Sequence, residues 1–155
     1  MRSNKPSVRK SARLRRGATM TETAIVLMVF LVLILGMLDL GIMVARQQML
    51  AQAARGGARA AIVRGEYADL LGPMGPTAIT GYASDDHPVA AAARPYLVLM
   101  TPSSVRLSVT WPNGTNGFGE PVRVSTSADF TPIITFIFGS PTWTLTGSSE
   151  MNIAH

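Results

Sequence analysis

Chemistry in this chain has to come from nine carboxylates, two histidines and a set of hydroxyls, because the 155 residues contain no cysteine. That absence excludes a disulfide framework, a CxxC redox site and any thiolate-bound metal. Asp85-Asp86-His87 has the donor types of a metal site, but it is a three-residue polar stretch stopped by Pro88 and reads as a solvated turn. The loop Asn113–Glu120 offers oxygens with one carboxylate among them, too few for a calcium loop. No phosphate-binding glycine motif follows a predicted strand, and many Ser and Thr fall on strand positions. The reading is therefore of a chain with no catalytic residue, no metal and no cofactor, and not an enzyme.

Two acids stand apart because of where they sit. Glu22 precedes, and Asp39 interrupts, an apolar run in which no residue from Thr23 to Leu38 is charged and which continues to Ala45. As a helix, Thr23–Ala45 is about 35 Å long, enough to cross a hydrocarbon layer of about 30 Å. A carboxylate at the middle of such a span costs about 2.5–3.5 kcal/mol, so an acid there has a partner or lies near an interface. Seventeen residues separate Glu22 from Asp39, about 25 Å along the axis, which puts them near opposite interfaces.

The elements that would position these acids follow from charge and periodicity. The net charge of +5 divides unevenly: residues 1–17 carry +7 and residues 18–155 carry −2. The basic excess belongs to a polar arm, expected to be disordered, and not to a folded face, which argues against nucleic-acid binding. It fits a cytoplasmic arm that orients the span with its N-terminus inside. Beyond Ala45 the same helix should continue. Gln48, Gln52, Arg55 and Arg59 make one polar stripe, while Leu50, Ala54, Ala58, Ala61 and Ile62 make a narrow apolar one suited to close packing. Gly56-Gly57 predicts a bend or soft spot, and Gly65 a helix end.

Residues 65–87 read as loop, Pro88 as the first residue of a short helix, and Tyr96–Met100 as the start of a strand. Alternation from Val105 to Trp111 predicts a half-buried strand, Pro112–Glu120 a hairpin connection, and Val122–Ser125 its return. Phe130–Gly139 is strongly apolar but too short to span a bilayer; it either covers the sheet or touches the membrane face. Trp143–Ile153 reads as a last strand. The fold class expected is α+β: a long N-terminal transmembrane helix continuing into a soluble helix and packed on a small C-terminal antiparallel sheet.

Arg16-Gly17-Ala18-Thr19-Met20-Thr21-Glu22 resembles the processing motif of type IV prepilins, and the longer stretch RRGATMTETAIVLMVFLVLILGMLDLGIMVARQQMLAQAARGGARAA is similar to the TadE-like family of tight-adherence (Flp) pilus systems. The ordered marks are Arg-Gly-Ala before an acid, Gly36-x-x-Asp39-x-Gly41, and Ala54-Arg55-x-Gly57-Ala58-Arg59-Ala60-Ala61; the end, Leu145-Thr146-x-x-Ser149-x-Met151, is weakly similar to the family's last strand. One departure is Thr23, where Flp-type motifs usually have an aromatic residue. The resemblance implies a pilin-like fold. It also implies cleavage between Gly17 and Ala18 by a prepilin peptidase, and a Glu22 that pairs with an N-terminal amine and sets register during assembly. The implied role is a minor pilin or pseudopilin in the bacterial cytoplasmic (inner) membrane, N-in and C-out, with other pilins and the pilus assembly machinery as partners.

The expected organisation is thus a basic leader at 1–17, a transmembrane helix at 18–45 and an extracytoplasmic helix plus sheet at 46–155. The competing reading is a soluble exported binding module released from a signal peptide, for which Ala51-Gln52-Ala53 offers a small-x-small site.

Overall fold

The computed structural model describes residues 9–135, 139 and 142–154, with residues 9–18 described by their backbone alone. One helix, α1 (Arg9–Ile62), runs for 54 residues, about 80 Å. It starts inside the basic arm, so residues 9–16 are helical where the sequence suggested disorder; residues 1–8 lie outside the described part. The reason is propagation. Arg, Lys, Ala and Leu are good helix formers, and extending an existing helix avoids the cost of a new nucleus.

Behind α1 come β1 (Ile79–Tyr82), the short helix α2 (Pro88–Ala93) with a 3-10 turn at Arg94–Tyr96, then β2 (Val105–Thr110), β3 (Pro121–Phe130) and β4 (Trp143–Asn152). The four strands form one antiparallel sheet in the order β1-β2-β3-β4. The α+β expectation holds. β1 lies within residues 65–87, where loop is expected, and Tyr96–Met100 is turn rather than strand. Pro95 there sits in the first turn of a 3-10 helix that prolongs α2, and Leu97 closes it back onto Arg94.

The core lies between α1 and one face of the sheet. Val105, Leu107 and Val109 from β2, Val122, Val124 and Phe130 from β3, and Leu145 from β4 meet Leu50, Ala53, Ala58 and Ala61 of α1. α2 closes one side with Val89 and Ala93. The alternation that predicted these strands is the alternation of their burial. Gly75, at a φ of 97° that only glycine adopts cheaply, lets the loop before β1 lie flat on the Trp111 ring.

The predicted soft spot at Gly56-Gly57 is instead a pair of contact points. A Cβ on Gly56 would stand 2.5 Å from Tyr96 Cε2 and 2.9 Å from the Ala92 carbonyl; one on Gly57 would stand 2.8 Å from Val89 Cγ1. Helix propensity is given up there so that α2 can approach the α1 backbone.

Candidate functional site

From Thr19 to Leu38 the side chains of α1 are exposed or only partly covered, including Ile25, Leu27, Met28, Phe30, Leu33 and Met37. This helix is long and apolar enough to cross a membrane. Glu22 lies on this bare stretch, one turn beyond Ala18, and among the described residues it makes no side-chain hydrogen bond or ion pair. The Gly17–Ala18 bond falls within the helical run. Thr23, the departure from the resembled motif, donates its hydroxyl to the Thr19 carbonyl at 2.8 Å, satisfying within the helix a polar group that lipid could not.

Asp39 is different. Its side chain is 5% exposed, and its two oxygens accept the backbone N–H groups of Ile133 at 2.9 Å and Ile134 at 3.1 Å. The turn just past β3 is therefore clasped to α1. One turn earlier, Gly36 leaves room for Ile134, whose Cδ1 would lie 3.8 Å from a Cβ placed there. Gly36 and Asp39 thus seat one turn together, which gives the first two marks of Gly36-x-x-Asp39-x-Gly41 a physical role; Gly41 has nothing within contact range. Residues 136–138 of the apolar Phe130–Gly139 stretch lie outside the described part.

Further ties follow along the same helix. Gln47 donates to the Thr146 carbonyl at 3.0 Å. The buried Thr126 hydroxyl donates to the Leu50 carbonyl at 2.9 Å. Opposite it, Gly147 lies so close that a Cβ would be 2.5 Å from Ala51 N and 2.7 Å from Leu50 O. At the far end, the Ala154 N–H donates to the Ile62 carbonyl at 2.9 Å. Asp39 and Thr126 are the buried polar or charged side chains among the described residues, and both join α1 to the sheet or its connection. From residue 39 to residue 62, about 35 Å, helix and sheet form one body.

The other candidates for chemistry hold turns together. Asp85 accepts the Tyr82 N–H at 2.7 Å, and His87 Nδ1 accepts the Val89 N–H at 3.3 Å as the N-cap of α2. Asn113 donates to Glu120 across the hairpin at 2.7 Å. Among the described residues no three His, Asp or Glu converge as metal ligands would. His155 lies outside them.

Sequence reasoning missed Thr126 and Gly147, because strand Thr and Gly residues are common and only the register of β3 on β4 places them opposite each other, at the point where α1 crosses. It also missed Arg46, whose guanidinium lies 5.4 Å from the Phe130 ring centre, with Phe130 in turn stacked on Trp143. No curated protein and no solved structure matches this chain. Residues 17–59, from the glycine that ends the basic arm to the last arginine of α1, match the family model described as TadE-like protein.

Proposed function

We propose that this chain is a TadE-like minor pilin or pseudopilin that assists assembly of a tight-adherence (Flp) pilus, anchored in the inner membrane by residues 18–45 with residues 46–155 outside. One observation carries the reading: a single helix is both the membrane-length apolar rod and the central packing element of the sheet domain. A force or displacement applied to the anchor is then passed to the domain without a hinge. The bare apolar surface before Leu38 is cover for lipid or for the helices of other pilins. Glu22, placed on that surface without a partner, is available for an N-terminal amine, whether its own or a neighbour's, once the leader is removed at Gly17–Ala18.

Release as a soluble module fits this architecture poorly. Cleavage after Ala53 would remove Leu50 and Ala53, both fully buried in the core, together with the Thr126 and Gly147 contacts. Exposing a buried Leu costs about 1.5–3 kcal/mol before any cavity is counted.

The test is the N-terminal sequence and mass of protein isolated from membranes of cells with an active prepilin peptidase. A start at Ala18 and membrane retention are expected. A start at Met1 refutes processing, and a start beyond residue 45 in the soluble fraction refutes the anchored reading. Glu22→Ala should block pilus assembly; normal pili would refute its register role.

A further inference from the structure

The clasp at Asp39 fixes where the turn at Pro132–Ile134 lies along the helix axis, and that depth has a consequence. If Glu22 marks the inner edge of the hydrocarbon, about 30 Å of helix reaches to about residue 42. Asp39 then lies inside the outer edge of the apolar layer, and the turn bound to it lies at the same depth. The turn is built for such a place. Pro132 has no N–H to satisfy, and the N–H groups of Ile133 and Ile134 both go to the Asp39 carboxylate.

What the turn presents is apolar. The Ile133 side chain is 58% exposed and Trp143, at the start of β4, 43%. Between this edge and α1 runs a groove of about 360 Å³ whose walls include Val32, Gly36, Met43, Ile134 and Trp143. It is continuous with the bare face of the span. Seven residues beyond Asp39, about 10 Å further out, Arg46 lies over Phe130 with its Nε buried and without a partner among the described residues. An aromatic at the edge and an arginine just beyond it is the order in which a bilayer interface accepts side chains.

We infer that the turn at Pro132–Ile134 and Trp143 form a second membrane contact, inserted into the phospholipid leaflet on the domain's side, with Arg46 at the level of the lipid phosphates. This rests on the anchored reading above. It makes the sheet domain lie against the bilayer at a fixed tilt, held by the helix on one side and by the wedge on the other.

Because the chain has no native Cys, single cysteines can be placed at Ile133, at Leu31 in mid-span and at Thr115 in the distal hairpin. Each would carry a fluorophore in full-length protein reconstituted into phosphatidylcholine–phosphatidylglycerol vesicles. Lipids bearing nitroxides at shallow or deep positions then report depth. The Leu31 label should be quenched most by deep nitroxides and the Thr115 label not at all. The Ile133 label should be quenched more by shallow than by deep nitroxides, the pattern of a side chain at the interface. In a Trp111→Phe background, Trp143 is the single Trp and an unlabelled reporter that should follow Ile133. Asp39→Asn should move the Ile133 label toward the Thr115 value while leaving Leu31 unchanged.

If Leu31 is quenched while Ile133 and Trp143 behave like Thr115, the wedge is wrong and the anchor stands. If Leu31 is unquenched, the anchored reading itself fails. Protection of Ile133 from lipid together with close label-to-label coupling would mean that a second copy covers the groove, and would overturn the lipid assignment. An unchanged Ile133 signal in Asp39→Asn would overturn the clasp as the element that sets depth.

Discussion

Gly147→Ala tests whether α1 and the sheet are one body. The added Cβ would stand 2.5 Å from Ala51 N and from Leu50 C, and 2.7 Å from Leu50 O. All three atoms are helix backbone, so no side chain can rotate away and the helix itself must lift. Overpacking of this kind costs about 1–3 kcal/mol. The lift also stretches the 2.9 Å bond from Thr126 to the Leu50 carbonyl, worth about 0.5–1.5 kcal/mol. Against this, Ala in place of Gly in a strand recovers about 0.5–1 kcal/mol. The net is a loss of about 1–3 kcal/mol, or about 5–15 °C in the unfolding midpoint of a domain near 100 residues. The assay is thermal unfolding of the full chain in detergent micelles, followed by circular dichroism and by the fluorescence of buried Trp111. Three glycines of α1 give the scale. Gly56→Ala meets a fixed carbonyl of α2 at 2.9 Å but also the movable Tyr96 ring, and should lose less. Gly57→Ala meets Val89 Cγ1 at 2.8 Å and Val124 Cγ1 at 3.1 Å, both on stiff, fully buried side chains, so the helix-propensity gain of about 1 kcal/mol should offset only part of the loss. Gly41→Ala meets nothing and should not destabilise at all. A midpoint for Gly147→Ala equal to that of Gly41→Ala would refute the docking of α1 across β3 and β4.

Other perturbations separate the remaining ties. Asp39→Ala orphans two amides at about 1–3 kcal/mol each, so the turn should detach and the β3–β4 connection should be cut sooner in limited proteolysis. Arg94→Ala removes a guanidinium that donates to the carbonyls of Ala83, Ser84 and Asp85, and should lower stability by about 1.5–3 kcal/mol in the same thermal assay. Arg94→Lys should restore only part of that, since an ammonium lacks the planar fork. Arg123→Ala breaks an ion pair of 2.6 Å to Glu150, but both side chains are about half exposed, so the loss should stay under about 1 kcal/mol and shrink with added salt. Glu22→Ala should leave the unfolding midpoint unchanged, because the side chain is exposed and makes no hydrogen bond or ion pair among the described residues, while abolishing assembly; a lowered midpoint would mean a structural role instead.

The parts legible in the sequence are those where periodicity and burial coincide. Val105–Trp111 alternates because one face of β2 meets the core, and the Ala stripe of α1 marks the face that meets the sheet. β1 was illegible because four residues with a glycine among them carry too little pattern; its strand state comes from pairing with β2, which lies 26 residues on from Ile79 to Val105. Gly56-Gly57 was legible as an irregularity but with the wrong consequence. A glycine's local cost can be read from sequence, whereas its compensation, α2 lying against the helix, exists only in three dimensions. Of the site residues, Glu22 and Asp39 stood out by charge within an apolar run. What Asp39 does could not be read, since its partners are backbone amides more than ninety residues away.

That contrast separates the two acids by kind of work. A buried carboxylate near lipid is tolerated only when its oxygens are satisfied, and Asp39 is satisfied within its own chain. It is therefore committed to the fold, and has little left to offer a partner. Among the described residues Glu22 makes no side-chain hydrogen bond or ion pair, which leaves its carboxylate open to a headgroup, an N-terminal amine or a neighbouring helix. The same division applies to the helix as a whole. Beyond Asp39 one face of it is buried against the sheet and α2, through Leu50, Ala53, Ala54, Ala58 and Ala61, while from Thr19 to Leu38 its side chains are exposed or only partly covered. The docked part of the helix thus begins at Gly36 and Asp39, and not at Ala45, where the apolar run ends.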